Sequence, residues 1–236
     1  MTAIERTFII DVMDEYLRST DVIDCDAKPI LEKAGALTEG LETSREKAMA
    51  LFYFVRDGIK HEPYAAGYVP EDYKASGTLK KGDGFCTHKA ILLVALARAT
   101  GIPARLGFAD IRDHLLSYKF RKLIGGENLL IYHGYAELFV EGNWVHASPA
   151  YDLQKCQRNG FVPVEFDGVN DAKDSPCDQK GRPHIEYVLD HGHYADFPWD
   201  MLVEEGQKFW AGLGLSWSES VGKWWSGEGA RSDEPK

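Results

Sequence analysis

Residues 82–105 read GDGFCTHKAILLVALARATGIPAR and contain the clearest helix signal in the chain. After Cys86 the apolar residues recur at helical spacing, and Gly101 followed by Pro103 is the usual punctuation of a helix end. Asp83 or Gly84 can cap the start. The stretch therefore predicts a buried helix that begins near residue 86 and carries a cysteine in its first turn.

A cysteine in that position is suited to nucleophilic chemistry. The thiolate is the reactive form, and the N–H groups and dipole of a helix N-terminus stabilise negative charge. The same N–H groups can hold an oxyanion during acyl transfer. Cys86 is therefore the candidate nucleophile, against the alternative of an ordinary small buried residue. The other cysteines lack such a setting, and no two of the four lie at metal or dithiol spacing; they are Cys25, Cys156 and Cys177.

The remaining pattern predicts a mixed α+β fold. Residues 104–111 are typical of a strand, and residues 129–140 and 143–148 alternate as a β-hairpin that turns near Glu141, Gly142 and Asn143. Further helices are expected over residues 4–18, from Thr43 onwards (with Thr43 and Glu46 as a capping box) and over residues 199–211. Three segments are expected to be less regular: a long loop over 61–84, a polar insertion over 112–126, and loops with short strands over 153–198.

His133, at the start of the hairpin strand, is the candidate base for Cys86. A cysteine at a helix start that faces a histidine on a sheet is the layout of papain-like enzymes. His88 follows Cys86 by only two residues, and such positions on a helix do not face each other.

The register of the hairpin nominates a partner for His133. A two-residue turn at 142–143 places Asp152 opposite His133, whereas a turn at 141–142 makes Ser148 and Asp152 equal diagonal neighbours. Both registers keep Asp152 on the face of His133, and a three-residue turn would reverse it. Pro149 could end the ladder before Asp152. Asp152 is the predicted orienting residue, and Ser148 is the alternative.

Other motifs are weaker. His146 is either near the site or on the strand surface. His191 and His193 form an H-x-H pair, but without a third ligand at clear spacing a metal-dependent hydrolase is the least favoured interpretation. The sequence has no H-E-x-x-H motif, phosphate-binding loop or dinucleotide fingerprint. We expect neither a cofactor nor a metal.

The net charge and the lengths of the apolar stretches argue against two classes of partner, nucleic acids and membranes. A net charge of -10 over 236 residues argues against a nucleic-acid surface. No apolar stretch approaches the roughly 18 residues of a membrane span, and the first residues lack a signal-peptide core. We expect a cytoplasmic protein with no nucleic-acid or membrane partner. Residues 1–225 are expected to form a single domain and residues 226–236 a disordered tail. The oligomeric state is left open.

Two blocks resemble the transglutaminase-like superfamily, in the manner of its uncharacterised bacterial members. The first runs from Gly84-Phe85-Cys86 through the helix to the phrase RATGIPAR at residues 98–105, and the second is HGYAE at 133–137 followed by GNWV at 142–145. The resemblance covers roughly residues 44–155.

The resemblance implies a papain-like fold with Cys86 as nucleophile and His133 as base. Many members carry Asp-Pro after the Trp-Val pair, where this chain has Ser148-Pro149, so the third member of a catalytic triad is in question. The expected activity is cysteine-dependent acyl transfer on a peptide, protein or small amide substrate. Hydrolysis is slightly favoured over amide formation. The departure at Ser148 motivates an alternative, a non-catalytic binding module on the same fold.

Overall fold

The computed structural model describes residues 13–65, 67 and 69–214. The first part of the predicted helix over residues 4–18, and the predicted tail over 226–236, lie outside the described residues.

The described chain is an α+β fold in which helices pack on an antiparallel sheet. The helices are α1 (Lys28–Thr38), α2 (Ser44–Gly58), α3 (Ala75–Lys81), α4 (Cys86–Ala99), α5 (Tyr118–Leu123), α6 (Leu153–Asn159) and α7 (Trp199–Gly212); a 3-10 turn covers Pro70–Tyr73. The strands are β1 (Lys60–His61), β2 (Asp83–Gly84), β3 (Ala104–Asp113), β4 (Leu129–Val140), β5 (Asn143–Ala147) and β6 (Ile185–Tyr194).

Helix α4 lies at the centre of the core. Every side chain from Thr87 to Arg98 is buried, because helices α1, α2 and α3 pack on one side and strands β3 and β4 on the other. Its two internal cations satisfy backbone carbonyls: Lys89 donates to those of Arg56 and Ile59, and Arg98 donates to that of Ala104. Such bonds are needed because a buried cation without partners is strongly destabilising.

The main sheet has the order β5-β4-β3-β6, and all its pairings are antiparallel. The hairpin turns at Glu141-Gly142, both with positive φ (49° and 90°), and Val140 pairs with Asn143. This confirms the predicted hairpin and selects the second of its two registers. Strand β5 ends at Ala147, before Pro149, so the ladder never reaches residue 152.

Two segments are more ordered than the sequence predicted. Residues 61–84, expected to be a loop, contain the 3-10 turn, α3 and a parallel β1–β2 pair that sets His61 opposite Gly84. Residues 153–198 contain α6 and the ten-residue strand β6. Both were missed because these elements are short or have polar exposed faces, so their hydrophobic periodicity is weak.

The predicted capping box of α2 is confirmed. Thr43 Oγ1 accepts the N–H of Glu46, and a Glu46 carboxylate oxygen accepts the N–H of Thr43. The helix predicted over 199–211 is also present, as α7. None of the helices in the described ranges is long and apolar enough to cross a membrane.

Candidate active site

Cys86 is the first residue of α4 and lies on the wall of an open cleft. The N–H groups of a first helical turn have no acceptor within the helix, so those of Cys86 and Thr87 are available to a ligand. The preceding strand β2 is fixed by its pairing with β1. Gly84 allows β2 to lie close to His88 in the first turns of α4, since a Cβ at residue 84 would lie 2.6 Å from the Cβ of His88.

Strand β4 passes directly over the start of α4 and brings His133 to Cys86. The contact depends on Gly134, where an added Cβ would lie 3.0 Å from the Cα of Thr87. The backbone of Gly134 also helps to lower the pKa of the Cys86 thiol. The structure thus brings together the two residues that the sequence nominated as nucleophile and base.

The electrostatics of the pair favour a thiolate and an imidazolium. Burial alone would raise the pKa of Cys86, but the charge and hydrogen bond of His133 outweigh it and lower that pKa below its ordinary value. Burial alone would lower the pKa of His133, yet negative charge on Cys86 and Asp174 raises it to about 10. Two neighbouring groups that shift each other in this way are typical of an activated cysteine.

Asp174 is the carboxylate that faces His133. Its Oδ2 lies 3.4 Å from His133 Nε2, and the two side chains are only 2% and 6% exposed. The same Oδ2 accepts the hydroxyl of Ser148 at 2.5 Å and that of Tyr187 at 3.2 Å. Burial would raise the pKa of Asp174, but the adjacent charge of His133 and the hydrogen bond from the Ser148 hydroxyl lower it. The carboxylate is therefore held ionised beside the imidazole.

Asp174 reaches this position because its segment runs along the free edge of β5. Ala172 pairs in parallel with Ala147: the Ala172 N–H donates to the carbonyl of His146, and the Ser148 N–H donates to the carbonyl of Ala172. Asp171 secures the start of the segment by accepting the His146 N–H at 3.1 Å. The only sequence signal was indirect: serine stands at 148, where many family members carry the triad aspartate.

The prediction that Asp152 orients His133 is wrong in its geometry. Asp152 is instead the N-cap of α6, where one carboxylate oxygen accepts the Lys155 N–H at 2.8 Å and the other accepts the His61 N–H at 2.9 Å. The physical reason is that β5 ends at Ala147, and the chain then leaves the sheet and starts a helix. The alternative residue, Ser148, does lie at the site, but it contacts Asp174 rather than His133.

A β-bulge fixes the end of β4 next to His133. The register between β3 and β4 shifts between Ala109 and Ile111, and Tyr132 adopts a left-handed φ of 52°. Asp110 holds this turn, since its Oδ1 accepts the Tyr132 N–H at 3.0 Å and lies 2.7 Å from His191 Nε2. The bulge aims His133 at α4.

Three other histidines have partners other than Cys86. His88 stacks on Tyr73, His146 stacks on Tyr135, and His193 pairs with Glu137 at 3.1 Å. No group of three or more potential metal ligands occurs among residues 13–65, 67 and 69–214.

The cleft beside Cys86 has a volume of about 1160 Å³. One wall is apolar and aromatic and is formed by α5, α7 and the start of β4, with Phe120, Ile124 and Trp210 packed together. A polar part of the lining includes His61, Tyr151 and Lys155. The cleft has room for an extended substrate with both apolar and charged groups.

Known proteins are similar to this chain. A family model described as the transglutaminase-like superfamily matches residues 32–149, which is half of the chain. The protein-glutamine gamma-glutamyltransferase of Pseudomonas aeruginosa is 26% identical over 167 residues, covering 65% of this chain and 24% of that protein. The chain thus spans about a quarter of the length of this relative.

Two crystal structures of bacterial proteins are remotely similar. A candidate cysteine protease from Cytophaga hutchinsonii has a TM-score of 0.44 and 18% identity, covering 76% of this chain and 53% of that one. A candidate protease from Parabacteroides distasonis has a TM-score of 0.38 and 16% identity, covering 58% and 25% respectively.

Proposed function

Since the chain belongs to the transglutaminase-like superfamily, we propose that it is a cysteine-dependent enzyme that transfers an acyl group from an amide or peptide bond. The observation that carries the proposal is the series formed by Cys86, at a helix N-terminus, and the buried side chains of His133 and Asp174. His133 favours the thiolate form of Cys86, Cys86 and Asp174 favour the imidazolium form of His133, and His133 favours the ionised carboxylate of Asp174.

The first half of the reaction forms a thioester. The Cys86 thiolate attacks the substrate carbonyl, a C–S bond forms, and the oxyanion is held by the free N–H groups at the start of α4. With Nε2 of His133 facing Asp174, Nδ1 is the nitrogen that serves Cys86. The imidazolium gives its proton to the leaving nitrogen as the C–N bond breaks, and an amine departs.

The second half releases the acyl group. Water or an acceptor amine attacks the thioester carbonyl while the neutral His133 takes its proton. The C–S bond then breaks, and Cys86 leaves as the thiolate. Water gives a carboxylic acid, and an amine gives a new amide. Throughout, Asp174 keeps the imidazole in one orientation and stabilises its positive charge, as the carboxylate of a catalytic triad does.

The position of Asp174 also bears on the alternative of a non-catalytic binding module. That alternative rested on Ser148 standing where many family members carry aspartate. Here Ser148 donates to Asp174, and Asp174 stands beside His133. A serine and an aspartate from separate segments thus supply what a single residue supplies elsewhere in the family.

Cys86→Ala tests the proposal. Turnover of glutamine-containing peptides should fall by about 10⁴-fold or more, because the residue that forms the covalent bond is gone. Mass spectrometry with and without a fluorescent primary amine separates hydrolysis from amide formation. Cys177→Ala, at an exposed free cysteine, is the matched control and should retain full activity. Undiminished turnover by Cys86→Ala would exclude the mechanism.

A further inference from the structure

A second polar cluster lies on the cleft wall, apart from the series that serves Cys86. Lys155 of α6 donates from Nζ to His61 Nδ1 at 2.8 Å. The same Nζ lies 5.2 Å from the centre of the Tyr151 ring, and the rings of His61 and Tyr151 are 4.9 Å apart. All three side chains line the cleft that contains Cys86. The mechanism above uses none of them.

Lys155 has no carboxylate in ion-pair contact within the described ranges, although its side chain is half-buried. Buried lysines are normally paired, because an ammonium group loses much hydration on burial. Its known acceptor, His61 Nδ1, is a neutral ring nitrogen and accepts a single bond. The ammonium therefore keeps donors for a further acceptor on the cleft side.

The acids on the cleft wall contact groups other than the Lys155 ammonium. Asp113 accepts the Leu115 N–H at 2.9 Å and the Tyr151 hydroxyl at 3.2 Å. The other two acids pair with neighbouring lysines, Glu62 with Lys60 at 3.9 Å and Asp83 with Lys81 at 3.4 Å. The polar wall thus presents a cation whose charge the protein's own carboxylates do not contact.

The cluster is also close to the reaction centre. His61 pairs with Gly84, two residues before Cys86, in the β1–β2 ladder. Both Tyr151 and Cys86 line the same cleft. A substrate group seated on Lys155 would therefore lie within a short reach of the carbonyl that Cys86 attacks.

We propose that Lys155, positioned by His61 and Tyr151, binds a carboxylate of the substrate, so that the preferred substrates are amides with a free carboxylate near the reacting bond. The proposal rests on the proposed function for the chemistry at Cys86 and adds the class of substrate. A carboxylate supplies the strong acceptor that a buried ammonium lacks here.

The pH range of this recognition follows from the charge on Lys155. Burial lowers the pKa of Lys155 to about 8, even though nearby acids oppose the shift. Burial and the positive charge of Lys155 hold the pKa of His61 well below its ordinary value, so His61 stays a neutral acceptor. Lys155 is therefore protonated and positively charged at pH 7, and it loses this charge as the pH rises through 8. The groups that face it are His61, Tyr151, Asp113, Asp152, Glu62 and Arg158.

Matched alkylating reagents test the proposal without a known substrate. N-iodoacetylglycine and N-iodoacetylglycinamide carry the same reactive group and differ only in a terminal carboxylate. Their rates at pH 7 are read by mass spectrometry of the peptide that contains Cys86. The acid should react faster than the amide by about tenfold in the wild type, as expected for a hydrogen bond between charged groups.

The variants assign that preference to Lys155. Lys155→Met should lower the acid-to-amide ratio by about tenfold, and Lys155→Arg should restore much of it, because the charge returns. Lys180→Met, at an exposed lysine outside the cleft, should leave the ratio unchanged. The wild-type ratio should also fall above pH 8. The amide reagent is the internal reference for any change in Cys86 itself, and Lys155→Gln replaces Lys155→Met if the latter does not fold.

The two proposals fail in different ways. Equal rates for acid and amide in the wild type, with fast alkylation of Cys86 near neutral pH, would overturn the carboxylate site and leave the proposed function standing. A ratio that Lys155→Met does not change would overturn it equally. Slow alkylation by the amide reagent, with an ordinary thiol pH profile, would instead contradict the proposed function.

Discussion

Two buried aspartates follow the hairpin, and their surroundings differ in kind. Asp152, at the start of α6, directs both carboxylate oxygens to backbone N–H groups, those of Lys155 and His61. Asp174, in an irregular segment, accepts side-chain hydroxyls and faces the buried imidazole of His133. The Asp152 carboxylate accepts backbone N–H groups and so fixes the local fold. The Asp174 carboxylate faces the imidazole of His133 and so favours the charged form of that ring.

Exchange of each aspartate for asparagine tests this contrast, and Asp174→Asn should have the larger effect. Its kcat/KM should fall by about 10²–10⁴-fold, because the imidazolium loses the charge that stabilises it. Asp152→Asn should change kcat/KM by less than about threefold, since asparagine caps helices as well as aspartate does. Steady-state kinetics on the same peptide measure both. Equal losses in the two variants would remove the distinction.

Ser148→Ala sharpens the comparison within the Asp174 cluster. The Ser148 hydroxyl donates at 2.5 Å to the oxygen that faces His133, so its loss weakens the hold on Asp174 but leaves the charge in place. We expect kcat/KM to fall by about tenfold, less than for Asp174→Asn. Ser148→Thr, which keeps the hydroxyl, is the control. A loss as great as that of Asp174→Asn would make Ser148 the more important partner.

Asp152→Ala should have only a small effect on activity, and its main effect should be on stability. The free energy of unfolding should fall by about 1–2 kcal/mol, because the N-cap of α6 is lost. The bond to the His61 N–H is lost as well. Urea denaturation of Asp152→Ala and Asp152→Asn measures the difference, and Asn should recover the contribution of the helix cap but not that of the bond to the His61 N–H, which its amide NH2 cannot accept. A large loss of turnover with unchanged stability would assign Asp152 to the site after all.

The sequence predicted the half of the site that lies on regular structure. Cys86 stands at a helix start marked by glycines, and His133 stands on a strand whose alternation is visible, so local sequence patterns placed both on their elements. The same reasoning placed α4, the hairpin and α7. The separate evidence of the family resemblance pointed to the same two residues.

Asp174 could not be predicted in that way. It lies between α6 and β6, in a segment without periodicity, and reaches His133 through backbone bonds between Ala172 and the edge of β5. Such pairings between distant parts of the chain leave no local pattern. The register argument for Asp152 failed for a related reason. It assumed that the ladder continued, and β5 ends at Ala147.

The pH dependence of Cys86 alkylation by iodoacetamide tests the central claim, an activated pair of Cys86 and His133, most directly. In the wild type the rate should titrate well below the ordinary thiol value of about 8.5, because His133 stabilises the thiolate. In His133→Ala the titration should return towards that value. A midpoint near 8.5 or higher in the wild type, unmoved by His133→Ala, would contradict the account.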